Sequence, residues 1–399
     1  MWEKVRLEEC FSLIRNGASI KQFENSCGIP ITRIETISNG YLNLEKLGYA
    51  NIENDEYIDF YIQDGDILMS HINSLKHLGK TALVKNISTK IIHGMNLLLL
   101  RTNGNCSYRY VKFYFETIDF YNQILNIANQ SVNQSSFTVT KLRNIEIPLP
   151  PLAIQEKIAD ILDKADQLRH KDQELEDKYD QLAQAIFVDM FGDPVKNEKR
   201  WEVIKLHKLI TKLENGVSVN SVERSSDLEQ YYILKTSCVY DGTFRLNERK
   251  VIVSSEIQKA KVNPRKDSII ISRMNTPQLV AKSAYVSVDS KDTFLPDRLW
   301  QSVRSETPHN VLWLSSILGH PRVLKEIQKK ASGTSGSMKN ISKNDFLSTK
   351  IILPPLYLQE EFAKKIEIIN NLKAQNNLEK SEQLFQSLLQ KAFTGELIQ

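Results

Sequence analysis

Cysteine is scarce in this chain: four thiols, Cys10, Cys27, Cys106 and Cys238, are spread through 399 residues. None are paired at zinc-ligand spacing and nothing marks a disulfide framework, so they read as isolated thiols of a reducing compartment. No run of eighteen apolar residues occurs, which excludes a membrane-spanning helix. Met1-Trp2-Glu3-Lys4 brings early charge and no apolar signal core, so a cytoplasmic protein is expected. Phosphate-binding and dinucleotide loops of the Gly-x-x-x-x-Gly-Lys-Ser/Thr and Gly-x-Gly-x-x-Gly kinds are missing, as is His-Glu-x-x-His. So is the Asn/Asp-Pro-Pro-aromatic motif of amino-methyltransferases, and the seven histidines are scattered with none at ligand spacing. No catalytic or metal constellation is therefore expected.

What the sequence does contain is one long helical stretch, used twice. From Pro148 to Pro194 the chain opens with Leu149-Pro150-Pro151-Leu152 and stops at Gly192-Asp193-Pro194. Proline suits the start of a helix, whose first amides have no internal partner, and Gly-Asp-Pro ends one. Between them Ile154, Ile158, Ile161, Ala165, Leu168, Asp172, Leu175, Tyr179, Leu182 and Ile186 alternate four and three apart. Only Asp172 is polar, so this seam of period 3.5 predicts a coiled coil with a second helix of the same kind.

That second helix is predicted at the C-terminus. Leu353-Pro354-Pro355-Leu356 with Gln359-Glu360 repeats Leu149-Pro150-Pro151-Leu152 with Gln155-Glu156, and the seam carries over to Leu358, Phe362, Lys365, Ile369 and Leu372. Two extra residues near Gln375-Asn376-Asn377 restore the register at Leu378, Ser381, Phe385, Leu388 and Ala392. The repeat extends further: Trp2-Glu3-Lys4-Val5 returns as Trp201-Glu202-Val203-Ile204, and Ser70-His71-Ile72-Asn73 as Ser272-Arg273-Met274-Asn275. One unit has been duplicated. The expected fold is α+β: domains of mixed strands and helices at 1–147 and 195–350, and long helices at 148–194 and 351–399 pairing as an antiparallel coiled coil between them, with a pseudo-twofold repeat.

With 41% hydrophobic residues the chain can bury ordinary cores. Its net charge is only +4, from 52 basic and 48 acidic residues. The distribution is uneven: 152–191 carries five basic against ten acidic side chains, −5, leaving +9 elsewhere. An acidic rod with basic globules fits globules that meet a polyanion and a rod that meets protein; a chance partition is the plain alternative.

In the first globule Tyr57–Asp64 and Asp66–Met69 read as strands about an Asp-Gly turn. Tyr108–Ala128 reads as one helix burying Tyr110, Phe113, Tyr114, Ile118, Tyr121 and Ile124, with a base-stacking platform as the lesser alternative. In the second, Tyr231–Lys235 and Phe244–Val253 flank Asp241-Gly242, Ser268–Ile271 is a buried strand, and Val311–Lys330 is the matching helix. That helix ends in Lys329 and Lys330 before a Gly/Ser loop leading to Lys339, which suits phosphate contact or a solvated end equally. The matching loop of the first half carries Gln130 and Asn133, whose amides can pair with adenine, although amide-rich loops are also ordinary surface. The candidate polar-contact residues are Ser70, His71, Asn73, Gln130 and Asn133 in the first half and Ser272, Arg273, Asn275, Lys329, Lys330 and Lys339 in the second.

The twofold Leu-Pro-Pro-Leu-x-x-Gln-Glu opening, Ala185-Ile186-Phe187 leading into Phe191-Gly192-Asp193-Pro194, Ala392-Phe393-Thr394-Gly395-Glu396-Leu397, Ser272-Arg273-Met274-Asn275 and Pro296-Asp297-Arg298-Leu299-Trp300 resemble the specificity subunits of type I restriction-modification systems. The resemblance implies two target-recognition domains, each reading half of a split site in double-stranded DNA, with the coil as spacer. It also implies docking of two methyltransferase subunits that use S-adenosylmethionine to methylate adenine N6, translocase-nuclease subunits for restriction, and no cofactor or catalysis in this chain. A coiled-coil scaffold without a DNA role and an enzyme with an unfamiliar site are the alternatives. They are separated by gel shift with random duplex and by incubation with labelled S-adenosylmethionine.

Overall fold

Four short strands make the centre of each half. The computed structural model describes residues 2–23, 28–37, 40–52, 56–131, 134–223, 230–333, 337–376 and 378–398. Its chain forms two units, Met1–Glu174 with Asn377–Gln399, and Leu175–Asn376. The α-helices run in chain order α1 (Tyr108–Tyr114), α2 (Ile118–Ile127), α3 (Val139–Arg143), α4 (Leu152–Phe191), α5 (Val311–Gly319), α6 (Pro321–Lys329), α7 (Lys343–Leu347), α8 (Leu356–Gln375) and α9 (Leu378–Thr394).

In the first unit the strands Phe11–Asn16, Leu97–Thr102, Ile67–Ser70 and Thr81–Leu83 lie in that spatial order as an antiparallel sheet. In the second, Ile210–Asn215, Leu299–Arg304, Ser268–Ser272 and Ser283–Val286 repeat the order. The strands Ile67–Ser70 and Ser268–Ser272 are buried on both faces, which is why they read as apolar runs without alternation, whereas Phe11–Asn16 and Ile210–Asn215 at the sheet edges expose polar side chains. Ile67 and Met69 face one core and Leu68 the other; Ile269 and Ile271 part from Ile270 in the same way. The repetition inferred from sequence is therefore a repetition of topology.

Several expected elements take another form. Ile58–Phe60 is a 3-10 turn rather than part of a strand over Tyr57–Asp64, and only Arg249–Ile252 of Phe244–Val253 is strand. The helix expected over Tyr108–Ala128 breaks into α1 and α2, because Thr117 caps α2 by accepting from Phe120 N. Val311–Lys330 breaks at the matching place, where His320 precedes Pro321 at the first turn of α6. Tyr110, Phe113, Tyr114 and Ile124 are buried core as read, whereas Ile118, on the outer side of the break, is 72% exposed.

Each unit contains an antiparallel helix pair. In the first, Glu382 of α9 meets Arg169 of α4, and Phe385 packs with Ile158, Leu162 and Ala165 in one core. In the second, Lys373 of α8 bonds Asp180 and Glu176 of α4, and Phe362 meets Phe187 and Phe191. The C-terminal segment expected as one long helix is two, α8 and α9, with Asn376 in extended backbone between them. Asn377 lies outside the described residues.

The packed face of these helices differs from the predicted seam at every second position. Leu168, Leu175 and Leu182 are exposed, at 39–47%, and Leu372 likewise. The inward positions are Leu162, Arg169, Glu176 and Ala183 on α4, with Ile366 and Lys373 on α8 and Leu389 on α9. The helices pack against α1 and α5 as well as each other, which turns the buried face by one residue. Hydrophobicity chose the leucines; the fold chose partners for the charges. Arg169 bonds Asp166 and Glu116 and lies 3.7 Å over the Phe385 ring.

The repeated tryptophans close the helix pairs. Trp201 Nε1 donates to the Phe191 carbonyl at 2.9 Å, and Lys199 Nζ to that of Met190 at 3.0 Å, satisfying carbonyls at the end of α4. Trp2 Nε1 does the same for Ala392 at 3.4 Å. Gly192, at φ +74°, makes the left-handed exit that stops α4.

Candidate nucleic-acid interface

Each central buried strand ends in a serine, and the turn that follows is built identically in both units. Asn73 Nδ2 donates to Ser70 Oγ at 3.3 Å, and Asn73 Oδ1 accepts from Ser74 N at 2.8 Å. Asn275 Nδ2 donates to Ser272 Oγ at 3.3 Å, and Asn275 Oδ1 accepts from Thr276 N at 2.9 Å. The serine backbone is held as well. Gly79 N donates to Ser70 O, and Ala281 N to Ser272 O, both donors lying in left-handed backbone at φ +76° and +64°. Ser-x-x-Asn is thus a closed frame.

A short ladder brings the loop residues to that frame. Ile72–Asn73 pairs with Ser135–Ser136, which pairs with Asn129–Gln130, so Gln130 lies exposed two strands from Asn73. Met274–Asn275 pairs with Lys339–Asn340, setting Lys339 opposite Asn275. Phe137 N donates to the His71 carbonyl and Ile341 N to that of Arg273. Of the predicted residues, Ser70, His71, Asn73 and Gln130 are gathered in the first unit, and Ser272, Arg273, Asn275 and Lys339 in the second. Asn133 lies outside the described residues.

The two lysines at the end of α6 are engaged elsewhere. Lys329 Nζ bonds Glu326 at 2.6 Å. Lys330 Nζ reaches Asp345 O, Ser348 Oγ and Thr349 Oγ1 at 3.0–3.3 Å, using all three donors at the end of α7. Burial lowers its pKa, against the pull of Asp345 and Glu326.

His71 is buried, and burial lowers its pKa, so the ring is neutral near pH 7. Its ring edges Phe137, with centroids 6.4 Å apart. Positive charge gathers just beyond: Lys80 first, then burial and Lys76, lower the pKa of half-buried His77 in the turn Leu75–His77. This basic cluster was missed by sequence reading, although Lys76-His77 and Lys80 stand within seven residues of Asn73. Tyr240 was missed too: its hydroxyl accepts from Asn275 Nδ2 at 2.9 Å. Thirty-five residues separate the two, and no local pattern signals the contact. Among the described residues no group of three or more His, Cys, Asp or Glu is placed to hold a metal ion, and no helix is long and apolar enough to cross a membrane.

Residues 1–177 and 198–386 match the family model described as the type I restriction modification DNA specificity domain. The putative type I restriction enzyme MjaX specificity subunit of Methanocaldococcus jannaschii is 29% identical across 99% of this chain and 93% of its own. The type I restriction enzyme StySPI specificity subunit of Salmonella potsdam is 22% identical across 92% and 82%. A solved type I restriction-modification S subunit from M. genitalium shares the fold with a TM-score of 0.59, at 14% identity over 98% of this chain and 96% of that one.

Proposed function

Because this chain belongs to the type I restriction-modification specificity family, we propose that it reads a bipartite site in double-stranded DNA, one half-site per unit, and carries out no chemistry itself. The observation that supports this most directly is the doubled Ser-x-x-Asn frame. Two frames built on the same hydrogen bonds carry different side chains, His71 against Arg273 and Ser135 against Lys339, as two readers of different sequences require.

The helix pairs act as the spacer. α4 has 40 residues, about 60 Å at 1.5 Å per residue, and successive major-groove sites on one side of DNA lie about 34 Å apart. Two methyltransferase subunits dock on the helices, bringing S-adenosylmethionine for adenine N6 methylation, and translocase-nuclease subunits join for restriction. The acidic surface of α4 suits protein partners, as do the exposed Leu168 of the first unit and Leu175 and Leu182 of the second. The reading places the protein in the cytoplasm with its DNA.

Removing seven residues from α4 and seven from the C-terminal helices tests the spacer role. The gap between half-sites in the methylated or bound sequence is expected to shorten with both half-sites kept. An unchanged gap overturns the spacer, and a full chain that binds random duplex no better at low salt than at high overturns DNA reading altogether.

A further inference from the structure

The residue inside each Ser-x-x-Asn frame is the one whose side chain has no partner. His71 Nδ1 and Arg273 Nε are both buried without a hydrogen bond. Of the buried side-chain atoms in that condition among the described residues, these two are the pair at matched positions of the repeat. A buried donor or acceptor left unpaired loses its solvation for nothing, so native folds keep few, and a recurrence at one place has a cause.

The surroundings are fully used. Asn275 spends both amide hydrogens, on Tyr240 and Ser272, and its oxygen on Thr276 N. Arg273 has its backbone N–H on Arg298 O and its carbonyl under Ile341 N. Its guanidinium, half-buried, makes no ion pair or hydrogen bond among the described residues. The backbone is clamped on every side while the side chain is left wanting an acceptor.

Resting on the DNA-reading function above, we propose that this central residue is the base-reading position of each unit, that Ser70, Asn73, Ser272 and Asn275 only hold it, and that Arg273 reads a guanine. A guanidinium presents paired N–H donors in a plane, which match guanine O6 and N7 in the major groove. His71 takes the same place in the first unit with one donor and one acceptor, so it selects a different base edge.

The test is selection from a library of randomised 40-bp duplexes by the full chain, at low and moderate salt, with R273Q, R273A and H71R beside the wild type. Wild type is expected to enrich a bipartite sequence with guanine at one position of one half-site. R273Q and R273A should lose that preference about ten- to a hundred-fold and keep every other position, and H71R should alter one position of the other half-site alone. R273Q keeps most of the length of the side chain and a polar end while losing the guanidinium, so it decides the matter even if R273A folds poorly. If R273Q retains the guanine, the proposal is wrong; if both variants weaken all sequences equally and flatten the salt slope by about one, Arg273 is a phosphate contact and the proposal is wrong as well. Failure of the wild type to enrich any split sequence would instead remove the DNA reading on which it stands.

Discussion

Gln359 donates its side-chain amide to the Pro354 carbonyl at 2.7 Å, while its oxygen accepts from Asn310 N at 2.9 Å at the start of α5. Gln155 repeats this with Pro150, at 2.8 Å, and Ser107 N, at 2.9 Å, at the start of α1. One buried glutamine thus ties the proline turn, the long helix and the helix of the globule together in each unit, which explains the fixed glutamine in the repeated motif.

Gln155→Leu and Gln359→Leu should each cost about 2–3 kcal/mol, since buried backbone groups lose their partner. Hydrogen exchange would locate the loss in α1 for the first variant and α5 for the second. Unaltered protection in both helices would show that the glutamines are dispensable.

The turned helix face makes a paired prediction. Leu162 is fully buried and Leu168 is 44% exposed. Leu162→Ala should lower stability by about 3 kcal/mol and Leu168→Ala by less than about 1 kcal/mol. Equal losses in urea unfolding would restore the seam expected from periodicity.

Arg169 is held between Asp166, Glu116 and Glu382 over the Phe385 ring. Burial lowers its pKa, but the carboxylates outweigh it and the net shift is upward. Arg169→Ala removes the charge that these acids face, and should cost about 2 kcal/mol after allowance for partial exposure. Faster exchange in α9 with α8 unchanged is the expected signature; an identical melting temperature would mean the cluster is decorative.

His93 supplies a pH dependence. Burial, foremost, lowers its pKa from 6.5 to about 4, and its Nε2 lies 2.9 Å from the Leu97 carbonyl. Above pH 6.5 the ring is neutral folded or unfolded, and its contribution is whole. As pH falls from 6.5 towards 4 the unfolded chain takes a proton that the folded one refuses, so stability falls, by about 3 kcal/mol in all. His93→Gln should flatten the first unit's loss over that window, leaving the slope from His71, whose pKa is also lowered by burial, and from His77, whose pKa is lowered first by Lys80. A slope unchanged by the substitution would place the acid sensitivity elsewhere.

Repetition and punctuation were legible in the residues. The doubled Leu-Pro-Pro-Leu-x-x-Gln-Glu, the tryptophans 199 residues apart and Gly192-Asp193-Pro194 each mark a local event, a helix start or stop, that neighbouring atoms decide. The sheets were half legible: Ser268–Ile271 shows its burial in composition, whereas Ile58–Phe60 looks extended and is a turn.

The sequence by itself determined that one α+β unit occurs twice, each with a proline-led helix and a Ser-x-x-Asn segment. Only the tertiary structure decided which stripe of α4 turns inward, that Tyr240 and Lys339 meet Asn275, and that His71 and Arg273 are the unsatisfied side chains in otherwise closed frames. The reason is physical. Periodicity reports what a face is made of, but whether Arg169, Glu176 or Lys373 can be tolerated inward depends on partners that come from distant parts of the chain, and these exist only once it has folded.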